Sequence, residues 1–131
     1  MVVGAGQGFQ GLPSVGGTWH ELTNVPYDAD DPDYRDYFSN VHQGEIGFYF
    51  YDGNHDYEDQ LEGLAVAERF LAPGAVILVD DTNWDAPRQA TLDFVSERRR
   101  LFNVVADIST VANGHPTFWN GLMLLQRNFA G

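Results

Sequence analysis

The sequence predicts an α/β domain, a parallel sheet with crossover helices and an antiparallel final strand. Three observations carry that prediction. From residue 46 onward, short apolar runs alternate with helix-length amphipathic segments, the pattern of strands joined by crossover helices. The run AVILV at residues 75–79 has no polar alternation, as expected of a strand covered on both faces. The loop between the last two strand-like runs is too short for a crossover, so those strands pair antiparallel.

Residues 1–44 are rich in Gly, Pro, Asp and Asn and show little periodicity, so they read as an irregular segment. Within them, residues 33–39 (DYRDYFS) suit a short helical turn. Residues 45–131 read as the ordered α/β portion. The apolar, aromatic run IGFYFY at 46–51 ends at Asp52-Gly53, as a buried strand does. Asp56 is placed to cap a helix over 57–71, with Glu58 and Asp59 in its first turn and Tyr57, Leu61, Leu64 and Leu71 along one face. Pro73-Gly74 stops it.

After the strand at 75–79 comes Asp80-Asp81. Asp85 and Pro87 then open a second helix through about Arg100, with Ala86, Ala90, Phe94 and Val95 facing inward and Arg98 to Arg100 suiting its negative end. Residues 102–109 form a third strand. Asn113-Gly114 and Pro116 mark a loop, and 118–126 form the last strand.

Composition narrows the function classes. The 131 residues fit one domain. Seven basic residues, all arginine, face nineteen acidic ones, for a net charge of -12. Such a surface repels phosphate backbones and anionic lipid heads, which argues against nucleic-acid and membrane partners. The imbalance is local: residues 1–68 hold thirteen acids and one arginine, whereas residues 69–131 hold six of each. An acidic stretch of this kind is a solvated face or, where acids converge at strand ends, a cation site. The absence of cysteine excludes disulfides, thiolate catalysis and thiolate metal sites. No apolar run is long enough to span a bilayer and no signal-peptide pattern follows Met1, so the expectation is a soluble, cytoplasmic protein.

In an open parallel sheet, ligands bind beyond the carboxyl ends of the strands. Two strands deliver carboxylates there: Asp52 from one, Asp80 and Asp81 from the next. Neighbouring strands lie about 4.8 Å apart, so these oxygens are placed to share a hard cation such as magnesium. The pair Asp80-Asp81 also suits the plainer role of ending a strand and accepting backbone amides. His55 reads as a proton acceptor or as an ordinary helix-entry histidine. Trp84 and Trp119 read as packing residues. Tyr49 and Tyr51 suit a sheet core as well as a pocket.

The stretch FYFYDGNHDYEDQLEGLAVAERFLAPGAVILVDDTNW resembles the second half of a class I S-adenosylmethionine-dependent methyltransferase. More narrowly, it is similar to the branch with an aspartate-glycine-x-histidine-x-tyrosine-glutamate segment after the fourth strand. Here those residues are Asp52, Gly53, His55, Tyr57 and Glu58. The Pro73-Gly74 turn and the antiparallel final pair fit the same family, and the likeness covers residues 46–127. It implies an incomplete Rossmann-like methyltransferase sheet, its later half, and methyl transfer from S-adenosylmethionine to a small-molecule oxygen or nitrogen. It also implies a cofactor lying against Asp52 and Gly53. By position, a divalent cation such as magnesium falls to Asp52, Asp80 and Asp81, with aspartate at 81 where the catechol-type relatives carry asparagine. His55 is then the residue that takes the substrate proton.

The cofactor half of such a sheet needs a glycine-rich loop after its first strand and an acid ending its second. The glycines of Val3-Gly4-Ala5-Gly6-Gln7-Gly8 stand at the very start of the sequence, with 37 residues between Gly8 and Ile46. We read them as a terminus rather than a cofactor loop, and no strand is expected between them and Ile46. Two readings follow. One is an active methyltransferase. The other is a truncated, catalytically inactive remnant acting as a cation-binding or oligomeric module, because an uncovered sheet edge favours homo-oligomers.

Overall fold

The computed structural model describes residues 2–6, 19–23, 44, 46–53, 55–111 and 120–129, with residues 2–6 and 19–23 described as backbone alone. Six strands form one sheet: β1 (Val2–Gly6), β2 (Trp19–Thr23), β3 (Ile46–Asp52), β4 (Leu71–Asp80), β5 (Phe102–Ile108) and β6 (Leu122–Arg127). Their spatial order is β2-β1-β3-β4-β6-β5. Strands β1 to β4 pair in parallel, and β6 runs antiparallel to both β4 and β5. Helix α1 (Tyr57–Ala67) links β3 to β4 through a 3-10 turn at Glu68–Phe70, and α2 (Asp85–Glu97) links β4 to β5. The expected α/β fold, parallel with crossovers and an antiparallel end, is present.

Two strands lie inside the stretch read as irregular. The glycine-rich VVGAG is a strand flanked by β2 on one side and β3 on the other. Its local β-propensity is poor, but a central parallel position supplies ladder hydrogen bonds on both edges, which sequence periodicity does not reveal. Between β1 and β3 the connectivity reverses: β1 leads outward to β2, whereas β3 leads the other way to β4. That is a topological switch point.

The core follows the pleat. Tyr49 pairs with Ile77 and Tyr51 with Val79 across β3 and β4, and Ile77 and Val79 pair with Leu125 and Met123 of β6. All six side chains are buried and share one face, as a period of two requires. Against that face α1 presents Gln60, Gly63, Leu64 and Ala67; of the expected stripe Leu64 and Leu71 are buried and Leu61 packs against the core, while Tyr57 is exposed. Gly63 sets the contact: a Cβ there would stand 2.1 Å from the Tyr51 ring, so the helix rests on the sheet at its glycine. The Tyr49 hydroxyl donates to the Gly63 carbonyl at 2.9 Å, and the Tyr51 hydroxyl to the Asp59 carbonyl at 3.3 Å.

Asp56 occupies the N-cap of α1 as expected, but its side chain makes no capping hydrogen bond; its backbone carbonyl accepts from Gln60 N at 2.9 Å. The helix ends at Ala67, short of residue 71, because β4 begins at Leu71 and runs through Pro73-Gly74. Gly74, at φ +79°, sits under the Phe129 ring where a Cβ would stand 2.3 Å from it. In α2 the buried residues are Pro87, Ala90, Thr91 and Phe94, while Ala86 is exposed. Arg98 lies just past the helix, pairs with Glu68 at 2.6 Å and stacks on Phe94. The expected helical turn at 33–39 and the loop residues Asn113, Gly114, His115, Pro116 and Trp119 lie outside the described residues. Among the described residues, no helix is long and apolar enough to cross a membrane.

Candidate functional site

The carboxyl ends of β3 and β4 carry the three predicted aspartates. Each of Asp52, Asp80 and Asp81 offers a carboxylate oxygen, and these oxygens lie within 4.8 Å of one another. All three residues are half-buried, so their charges repel through a medium poorer in water than the open surface. Burial, then the Asp80 and Asp81 charges, push the Asp52 carboxyl up to about 8. Burial also pushes Asp80 up, opposed by a hydrogen bond from the backbone of Asp81, whose N–H donates to Asp80 Oδ1 at 2.8 Å.

Asp81 is the one non-glycine residue with positive φ among the described residues, at 62°. That left-handed conformation turns the chain sharply off the end of β4. It leaves both carboxylate oxygens engaged. His55 Nδ1 stands 3.1 Å from Oδ2, and Asn120 Nδ2 donates to Oδ1 at 3.3 Å. The Asp81 side chain is 16% exposed and that of His55 50%. Gly53 keeps the turn after Asp52 tight, since a Cβ there would meet the Tyr51 hydroxyl at 2.8 Å.

Trp84 is 40% exposed. Its indole meets the His55 ring edge-on, with centroids 4.7 Å apart at 74°. It packs on His55, as a packing residue does, but at the exposed edge of the site and outside the core. Sequence reasoning also missed the frame behind Asp81. The Asn83 side chain donates to the Thr110 hydroxyl at 2.8 Å and to its carbonyl at 3.1 Å, and accepts from its N–H at 3.1 Å. Asn83 N donates to the Asn120 carbonyl at 2.8 Å, and Gly121 N to the Thr110 hydroxyl at 2.9 Å. Gly121, at φ +82°, approaches Asn83 so closely that a Cβ would lie 2.5 Å from its N. The dipeptide Asn120-Gly121 is a turn signal in the sequence; its partner in Asn83 is not legible there.

One more element converges on the site. Gly6, the last residue of β1, is the register partner of Asp52. The glycine-rich segment thus ends beside the acidic cluster at the switch point, which corrects its reading as a bare terminus. The neighbouring β2 ends on Thr23, followed by Asn24 in sequence, with no acid at that position.

Comparison with known proteins agrees with this architecture. Residues 18–82 match a family described as a methyltransferase domain. No curated protein is a significant match to the sequence. An O-methyltransferase from Bacillus cereus, solved in complex with SAH, superposes with a TM-score of 0.56 at 16% identity, over 84% of this chain and 50% of that one. An O-methyltransferase of tomaymycin synthesis from Streptomyces achromogenes, solved with SAM, gives 0.55 at 19% identity, over 84% and 50%. A putative O-methyltransferase from Klebsiella pneumoniae gives 0.53 at 19% identity, over 85% and 49%. The chain spans about half the length of these structures. In its sheet order and its matched segment, the chain is similar to methyltransferase domains and shares the fold of these O-methyltransferases.

Proposed function

We propose that the chain takes part in S-adenosylmethionine-dependent methyl transfer to a small-molecule oxygen or nitrogen, with a divalent cation such as magnesium at Asp52, Asp80 and Asp81. The observation that carries this reading is the convergence of three carboxylates and a histidine beyond two adjacent parallel strands, beside the end of a glycine-rich one. The donor set fits a hard cation. It is oxygen only, and the burial and mutual repulsion that raise Asp52 and Asp80 are offset by positive charge. The switch point fits the cofactor, since glycines in β1 allow close backbone approach. Gly6, Asp52 and Gly53 are the residues we assign to its binding. When bound, the sulfonium cofactor supplies an electrophilic methyl group and the cation lowers the pKa of a coordinated substrate hydroxyl.

The chain's own residues do the rest. Asp81 Oδ2 holds His55 through Nδ1, which fixes the tautomer and leaves Nε2 as the basic atom. At 50% side-chain exposure, that nitrogen accepts a proton from a substrate hydroxyl at the mouth of the site. Trp84, edge-on to His55, limits water on one side of it. The strongly acidic composition favours neutral or cationic acceptors over polyanions. We assign the same reading a cytoplasmic setting and a second copy of the chain as partner.

Calorimetry with S-adenosylmethionine and its demethylated product, with and without magnesium, tests the proposal. Micromolar binding is the expected result; no binding at millimolar ligand overturns it. A second reading, an inactive cation-binding module, is favoured by one observation: β2 ends on Thr23, without the acid that the ribose hydroxyls need in the active relatives. Magnesium binding without any cofactor binding is the outcome that selects it.

A further inference from the structure

Asn120 is 4% exposed, and its Oδ1 has no hydrogen-bond partner among the described residues. A buried amide oxygen left unpaired is costly, and it asks for a partner. The other amide atom points at the acidic cluster, Nδ2 lying 3.3 Å from Asp81 Oδ1. The amide is held in place from both sides, its backbone carbonyl accepting from Asn83 N and the following Gly121 locked against Asn83. Rotation about the last side-chain bond exchanges the two amide atoms, which are nearly isosteric. After that exchange an oxygen occupies the position 3.3 Å from Asp81 Oδ1. Neighbouring oxygen ligands on one magnesium lie about 2.9 Å apart, and on calcium somewhat farther, given metal–oxygen distances of about 2.1 and 2.3–2.6 Å. The spacing matches a shared cation. Without a cation the exchanged orientation sets two acceptor oxygens against each other and loses the bond to Asp81, so the amide donates; a cation between the two oxygens reverses that preference.

We propose that Asn120 is a fourth, neutral oxygen ligand of the cation, its amide donating to Asp81 in the cation-free chain and turning its oxygen inward on loading. The inference rests on the cation site proposed above. It adds a donor from the loop before β6 to those of β3 and β4, and so ties the antiparallel end of the sheet to the site. Magnesium binding is measured by calorimetry and by the rise in melting temperature on the whole chain and on three variants. Asn120→Ala is expected to bind magnesium about tenfold more weakly, within the range typical of groups supporting a metal site. Asn120→Asp, which offers oxygen but no amide donor, is expected to bind more tightly than Asn120→Ala. In the unaltered chain the Asn120 side-chain carbonyl carbon is expected to shift in the nuclear magnetic resonance spectrum when magnesium is added.

If Asn120→Ala binds magnesium within twofold of the unaltered chain, or Asn120→Asp binds no better than Asn120→Ala, the ligand role is wrong. Melting of each variant without cation reports whether it is folded; if Asn120→Ala is not, Asn120→Asp and the carbon shift decide. Asp52→Asn separates this inference from the one beneath it. If the unaltered chain shows no magnesium response that Asp52→Asn removes, the cation site and the Asn120 ligand both fall.

Discussion

Asp81 adopts a left-handed backbone conformation that costs a non-glycine residue roughly 1–2 kcal/mol, and the surrounding frame sustains it. His55 and Asn120 hold its two oxygens, and Asn83 fixes the loop that follows through Thr110 and Asn120. His55 depends on that arrangement for its tautomer. On the function proposed above, in which His55 is the base, His55→Ala should lower kcat by about 10²–10⁴, with cofactor affinity measured by calorimetry unchanged. Gly63 is a residue-scale case of packing. A Cβ there would overlap the Tyr51 ring at 2.1 Å, so Gly63→Ala should destabilise the fold by about 1–3 kcal/mol, the usual cost of overpacking, read from urea denaturation. Helix propensity alone gives the opposite sign.

The two helices are joined at their polar edges as well as through the core. Buried Gln60 of α1 donates to Thr91 Oγ1 of α2 at 3.4 Å, and the Tyr57 hydroxyl donates to Asp93 Oδ2 at 2.6 Å. The Tyr57 hydroxyl, then the Gln89 amide, hold Asp93 below the usual carboxylate range. The same bond raises Tyr57 above the usual phenol range. A depressed carboxylate contributes stability that is present above its unfolded value and lost as pH falls through the folded one. A raised phenol contributes stability that is present below its unfolded value and lost as pH rises through the folded one. The bond between the helices is therefore strongest between about pH 4 and pH 10, the ordinary values of the two groups. The difference in melting temperature between the unaltered chain and Tyr57→Phe should be greatest near neutrality and shrink at both ends, as a pH series of thermal melts would reveal.

Across the whole molecule, a net charge of -12 destabilises the compact state through self-repulsion, and three of the nineteen acids converge at the strand ends. General screening and site occupancy have separable effects. About 0.15 M sodium chloride, with a Debye length near 8 Å, should raise the melting temperature of the unaltered chain and of Asp52→Asn by similar amounts. Millimolar magnesium should give the unaltered chain a further rise that Asp52→Asn lacks. The sheet also sets where that response originates. Its switch point lies between β1 and β3, so Gly6 and Asp52 meet at one crevice although 46 positions separate them in sequence.

The sequence by itself determined the order of the elements from Ile46 onward, because apolar runs, the Asp-Gly signal and helix-length spacing are local properties, whereas Pro73-Gly74 lies within β4 rather than ending a helix. It also determined Asp52, Asp80, Asp81 and His55 as the residues of interest, since strand ends are where parallel sheets place ligands. Tertiary structure alone decided the rest. Gly4 and Gly6 became strand residues because β2 and β3 pair with them on both edges, and pairing between distant segments leaves no local periodicity. The buried face of α1 turned to Gly63 because the Tyr51 ring required the close approach. Asn83, Thr110, Asn120 and Gly121 became one frame behind Asp81 because the antiparallel end of the sheet brings two loops against a third. Local sequence fixes which residues point off a strand end, and long-range packing fixes what holds them there.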